Sequence, residues 1–221
     1  MELLSVNSAR SVWLFDISEL NPRGKSLFPE LFEWLKDEYH FEKAPESMTD
    51  VDETKAFVFS RGTFQVKEEI FIDVELKIYN DGLVANTWSS TRETDAFLEN
   101  VLKSAAEEFS LAYKPEIVRR KMYFSELNVM SLRDLAGVNP LLTQFSDKIA
   151  ELLPKTMRLP FEFSGVMFSP IQGIAPVSIS PFRFDRKLNT SPEEHKYYST
   201  APLHTDDHLK LLEWYEQNLM G

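Results

Sequence analysis

Apolar and polar positions alternate most regularly over residues 70–79, IFIDVELKIY. Ile70, Ile72, Val74, Leu76 and Ile78 fall on one side, and Phe71, Asp73, Glu75, Lys77 and Tyr79 on the other. A period of two predicts a strand with one buried and one solvated face. NDG at 80–82 predicts a hairpin, with LVANTW as the returning strand. A three-residue loop with Gly82 in the left-handed region is expected. It pairs Tyr79 with Leu83, Ile78 with Val84 and Val74 with Trp88, which keeps the larger apolar groups together. A two-residue Asp-Gly turn would instead put Ala85 and Thr87 on the core face.

Elsewhere the period is helical. Leu27, Leu31, Trp34, Leu35 and Tyr39 recur at helix spacing, and Pro29 places the helix start close to itself. Residues 89–109, SSTRETDAFLENVLKSAAEEF, combine a Ser90–Glu93 capping box with a stripe of Phe97, Leu98, Val101, Leu102, Ala105 and Phe109. NPLLTQFSDKIAELL at 139–153 reads as a helix capped by Asn139 with Pro140 in its first position. LHTDDHLKLLEWYEQNLM at 203–220 reads as a last helix capped by Thr205. Strands are expected at SVWLFDI (11–17), AFVFSRGTFQV (56–66, with a bulge or bend at Gly62) and EIVRRKMYFSELNVM (116–130). LPFEFSGVMFS (159–169) and APVSISPFRFDRK (175–187) are two more, split by PIQGIAP.

The resulting order, β-α-β-β-β-α followed by β-α-β-β-α, with hairpin-joined strands, predicts an α+β fold: a mainly antiparallel sheet with helices on one face. The halves 1–110 and 111–221 share a loose order of elements, although no residue pattern repeats. Nothing between 105 and 130 has linker composition, so one domain over 1–221 is expected.

Composition narrows the chemistry. With 221 residues, 43% hydrophobic and rich in Phe, the chain has enough apolar side chain for a sizeable core. Cysteine is absent, which removes disulfides, thiol nucleophiles and thiolate metal sites. No apolar run has transmembrane length, and the start lacks a basic region followed by an apolar core, so a soluble cytoplasmic protein that does not engage membranes is expected. The net charge of −11 is uneven: residues 1–110 hold 22 acidic and 11 basic side chains, and residues 111–221 hold 13 of each. Nine of the acids lie between Glu30 and Glu53, against Lys36 and Lys43. Such a surface repels phosphate backbones, so nucleic acid is disfavoured as a partner.

Four short motifs carry candidate chemistry. NPRGKS at 21–26 has the Gly-Lys-Ser ending of a phosphate-binding loop, but Glu19 stands where that loop needs its first glycine, and Pro29 would interrupt the helix. Gly24 and Lys25 are therefore assigned to a surface turn. Glu75-Leu76-Lys77 lies on a hairpin strand, the context in which Mg²⁺-dependent nucleases of the PD-(D/E)xK type place a metal-binding Glu and a water-orienting Lys. An upstream Asp is also required, and Asp52 and Asp73 are the ones available. HTDDH at 204–208 spaces two histidines by four, but a Thr205 cap leaves His204 outside the helix. DVDE at 50–53 lacks the glycine and terminal glutamate of a calcium loop. No cofactor or metal set is assembled by these residues.

What remains is a binding reading. In IVRRKMYF, Arg120 is in phase with Val118, Met122 and Phe124, while Arg119, Lys121 and Tyr123 face the other way. A second basic group, Arg183, Arg186 and Lys187, precedes the aromatic pair Tyr197 and Tyr198. The expectation is a non-enzymatic interaction or assembly protein, self-associating as a homo-oligomer or binding another protein. Arg119, Arg120, Lys121, Arg183, Arg186, Tyr197 and Tyr198 are its contact residues. Acidic 30–53 surface meets basic residues, with Tyr197, Tyr198 and Trp214 as apolar anchors. The alternative is a metal-dependent phosphodiesterase or nuclease centred on Glu75 and Lys77.

Overall fold

The computed structural model describes residues 1–154, 156, 159–171 and 179–219. The expected strand beginning at 175 and the PIQGIAP break fall partly on 172–178, outside the described residues. The fold is α+β. Its elements are β1 (Glu2–Leu14), α1 (Glu30–Glu38), β2 (Phe57–Lys67), β3 (Ile70–Tyr79), β4 (Gly82–Thr87) and α2 (Thr91–Phe109), then β5 (Arg120–Met130), α3 (Pro140–Leu152), β6 (Gly165–Phe168), β7 (Phe182–Arg186), β8 (Lys196–Ala201) and α4 (Thr205–Asn218). The order β-α-β-β-β-α thus occurs twice. The hydrogen-bonded strand order is β2-β3-β4-β1 in the first run and β5-β8-β7-β6 in the second, the same order when β5 to β8 are matched to β1 to β4.

Contacts divide the chain into two compact units. The N-unit holds Asn7–Ser125 with Leu203–Thr205, and the C-unit holds Met1–Val6, Glu126–Pro202 and Asp206–Gly221. The chain passes between the units within β1 and again within β5.

In the N-unit, α1 and α2 place Phe32, Leu35, Phe97, Leu98, Val101 and Leu102 in one cluster with Trp13, Val74, Leu76, Leu83 and Ala85 of the sheet. Burying each large side chain contributes about 1.5–3 kcal/mol. The Ser90 hydroxyl caps α2, accepting from Glu93 N at 3.3 Å and donating to Glu93 Oε2 at 3.0 Å. β2 skips one residue between Phe59, opposite Leu76, and Gly62, opposite Val74, so the expected bulge is present. Gly62 is needed there, because a Cβ would stand 2.4 Å from the Phe41 ring.

The hairpin register differs from the expected one. Tyr79 pairs with Gly82, Ile78 with Leu83, Leu76 with Ala85 and Val74 with Thr87. The turn is therefore Asn80-Asp81, and Leu83, Ala85 and Thr87, not Val84 and Trp88, face the core. Two contacts fix this. Gly82 (φ 154°) lies so close to β1 that a Cβ would sit 2.1 Å from the Trp13 carbonyl oxygen. The Thr87 hydroxyl donates to the Asp73 carbonyl at 2.7 Å, which satisfies it in the interior.

The C-unit core is smaller. Leu127, Val129, Phe184 and Tyr197 of the sheet meet Leu135 and, from α4, Leu212 and Tyr215. His208 of α4 is fully buried, its Nε2 2.8 Å from Ser199 Oγ. Ser199 uses its single proton on the Arg183 carbonyl (2.7 Å), so the imidazole N–H is the donor to Oγ. Burial lowers the His208 pKa to about 4. Glu216 accepts from the Ser131 hydroxyl (2.6 Å) and Leu132 N–H (2.9 Å), anchoring the turn after β5. α3 forms as expected, with Asn139 capping Leu141 N at 3.0 Å and Pro140 first.

Candidate functional site

Glu75, Lys77 and Tyr79 stand on the strand face away from α1 and α2, with Arg10 and Val12 of β1 and Val84 and Asn86 of β4. Together they line a recess of about 180 Å³. Lys77 Nζ is held by Asp52 Oδ2 at 2.9 Å. The same carboxylate takes the Thr54 hydroxyl (2.6 Å) and the Thr54 and Ala56 N–H groups. These bonds, Thr54 foremost and Lys77 next, hold the Asp52 pKa well below the usual carboxylate range. Asp52 thus closes the 52–56 turn with Lys77 as counter-ion. Glu75 is the one carboxylate lining the recess, beside two cations, Arg10 and Lys77. Among the described residues no three His, Asp or Glu side chains gather as a metal-binding group.

NPRGKS forms a turn: Gly24 has φ 62°, and the Asn21 side chain bonds both Lys25 O (2.8 Å) and Lys25 N (3.2 Å). His204 lies outside α4, stacked on Tyr123 at 3.5 Å between ring centroids and 3.2 Å from the Thr91 hydroxyl. Tyr123 donates to Asp95 (3.0 Å), which also accepts from the Trp13 indole (2.8 Å). Tyr123 is pushed above the usual phenol range by burial and by Asp95.

The residues expected to bind partners lie in both units. In the N-unit, Arg119 is exposed and paired with Glu19. Arg120 is exposed at the start of β5, and the Lys121 ammonium sits 3.6 Å over the Trp13 ring. In the C-unit, Arg183 pairs with Asp185 at 2.9 Å. Tyr198 is half-buried, its pKa pushed up to about 12 by burial and by Glu126. Arg186 and Tyr197 are internal. Arg186 lies between Asp134 (3.2 Å) and Glu162 (3.3 Å) with its guanidinium over the Tyr197 ring, and the Tyr197 hydroxyl accepts from Leu135 N at 3.1 Å. Neither side chain offers surface to a partner. Trp214, by contrast, is 54% exposed.

The sequence reading missed the most conspicuous surface of the C-unit. α3 buries only Ser146, whereas Leu141 and Phe145 are each 65% exposed and Leu152 is 77% exposed. These positions, four and seven apart, share one helix face. Among the described residues β6 is an edge strand, and Met167 and Phe168 on it are 62% and 61% exposed. Scattered exposed apolar residues are ordinary, but a stripe of large ones along a helix is not.

No family model matches the chain, and no curated protein matches it. One solved structure that does, "Methanococcus jannaschii TBP", is 13% identical with a TM-score of 0.45, over 99% of this chain and 96% of that chain. The exclusion of nucleic acid as a partner is corrected: it is withdrawn. Its physical fault was to treat a charge summed over half the chain as the charge of every surface in it. The acids concentrate in 30–53, while the recess on β1, β3 and β4 carries Arg10 and Lys77 beside Glu75. Among the described residues no helix is long and apolar enough to cross a membrane.

Proposed function

We propose that the chain is a non-catalytic interaction protein of the cytoplasm that self-associates through the apolar surface of its C-unit. The observation that carries this reading is the exposed Leu141–Phe145–Leu152 stripe on α3. The edge strand β6 supports it, because its outer backbone groups can pair antiparallel with the same strand of a second copy in a two-fold contact. A second copy suits these elements: Lys148 and Glu151, 2.7 Å apart on α3, can exchange partners across a two-fold axis without leaving a charge alone. Apolar anchors supply lasting association, and the exposed basic residues Arg119, Arg120 and Arg183 steer it. Light scattering over a wide concentration range tests the reading. The wild-type mass is expected to rise to that of a dimer, and Phe145→Glu to remain monomeric with an unchanged far-ultraviolet spectrum. A wild-type monomer at every concentration would overturn it.

A further inference from the structure

The N-unit contains a cavity of about 420 Å³ that the proposed self-association does not use. Its walls come from both helices and the sheet: Leu31 and Leu35 of α1, Leu102 and Ala105 of α2, Ile78 of β3 and Leu83 of β4. The cavity opens to solvent on its loop side, and an apolar hollow of this size is in the range of small-molecule sites. Along the helix and sheet walls water finds nothing to bond to. The polar groups sit together at the loop side: Asn21, Lys25, Ser26 and Asn80. Lys25 is the one charged side chain that lines the cavity. Its backbone is fixed by both bonds to the Asn21 side chain, and among the described residues its ammonium has no ion pair. The turn that imitates a phosphate-binding loop in sequence thus delivers one cation to the rim of an apolar chamber.

We propose that this cavity binds a small amphipathic anion, an alkyl carboxylate whose chain lies between α1, α2 and the sheet and whose head group meets Lys25. Dodecanoate below its micellar concentration is the probe, titrated by calorimetry into the full chain. One saturable site per chain is expected, with dodecyltrimethylammonium binding about tenfold more weakly. Lys25→Glu, at an exposed position, is expected to weaken dodecanoate about tenfold while leaving the cationic amphiphile no worse. Ala105→Trp is expected to remove binding by filling the chamber, and Leu31→Trp does the same from a half-buried position if the first variant fails to fold. Leu188→Glu, at an exposed position of the C-unit outside the α3 and β6 surface, is expected to leave the affinity unchanged. Absence of saturable binding, equal affinity for both amphiphiles, or binding that survives Leu31→Trp would each overturn the proposal.

Discussion

α1 and α3 each follow the first strand of a β-α-β-β-β-α run, yet α1 turns Phe32 and Leu35 into the core while α3 buries only Ser146 and leaves Leu141, Phe145 and Leu152 in solvent. The N-unit has covered its sheet with two helices and kept an apolar chamber beneath them. The C-unit builds its core from α4, and α3 half-buries Leu142 and Ile149 on the side of Ser146 while Leu141, Phe145 and Leu152 stay in solvent. A repeated order of elements therefore does not repeat the division between inside and outside. We propose that one unit turns its surplus apolar surface toward a small ligand and the other toward a second copy.

The largest effect expected from breaking this comparison is at its glycines. In Gly82→Val the new Cβ meets the Trp13 carbonyl, which is backbone and cannot move aside, and the φ of 154° disfavours a β-branched residue. A loss of about 4 kcal/mol or more is expected in urea unfolding. Gly165→Ala in the C-unit meets the Asp185 carboxylate, a side chain that can swing away, and more distantly the Phe184 carbonyl oxygen at 2.9 Å, so a smaller loss of about 1–2 kcal/mol is expected. Equal losses at the two sites would remove the distinction.

The next largest contrast is between buried and displayed apolar residues. Leu98→Ala, at a fully buried position on α2, is expected to destabilise by about 3 kcal/mol. Phe145→Ala is expected to stay within about 0.5 kcal/mol when measured on dilute protein. A large loss at Phe145 would mean that α3 packs its apolar face inward.

A smaller effect separates the units by pH. His208 titrates near 6.5 in the unfolded chain and at about 4 in the C-unit. Below 6.5 the unfolded chain binds a proton that the folded chain refuses. Stability is therefore complete above 6.5 and falls as the pH drops toward 4, by on the order of 2 kcal/mol. His208→Gln, which can still donate to Ser199, is expected to flatten that slope. An unchanged slope would assign it to other groups.

How much of this was legible in sequence follows from what each element packs against. Alternation in β3, the Ser90–Glu93 cap and the Asn139-Pro140 start are local signals, and all three elements form where they predict. The β4 register was not legible, because it is set by the approach of Gly82 to the Trp13 carbonyl and by the room under α2 that suits Ala85 and Thr87. β1 begins at Glu2, nine residues before the apolar run that announced it, since its first positions are largely exposed and carry little pattern. The α3 stripe reads in sequence as any core-facing helix does, because periodicity reports that a helix has an apolar side and not what covers it. Arg186 and Tyr197 looked like surface residues for the converse reason: Asp134, Glu162 and Leu135, which hold them inside, are distant in sequence. The chamber was invisible because its walls come from segments that each read as ordinary core.

The self-association of the C-unit is tested most directly by amide hydrogen exchange at dilute and concentrated protein, comparing the two edge strands, β2 and β6, and the two helices α1 and α3. β2 carries a bulge with Arg61 beside it and Lys67 at its end, features that discourage edge pairing, whereas β6 is short and apolar at Met167 and Phe168. Protection is predicted to rise with concentration across residues 140–152 and 165–168 and to stay constant across 30–38 and 57–67. Protection that is independent of concentration in all four segments, or that rises at β2 in place of β6, would contradict it.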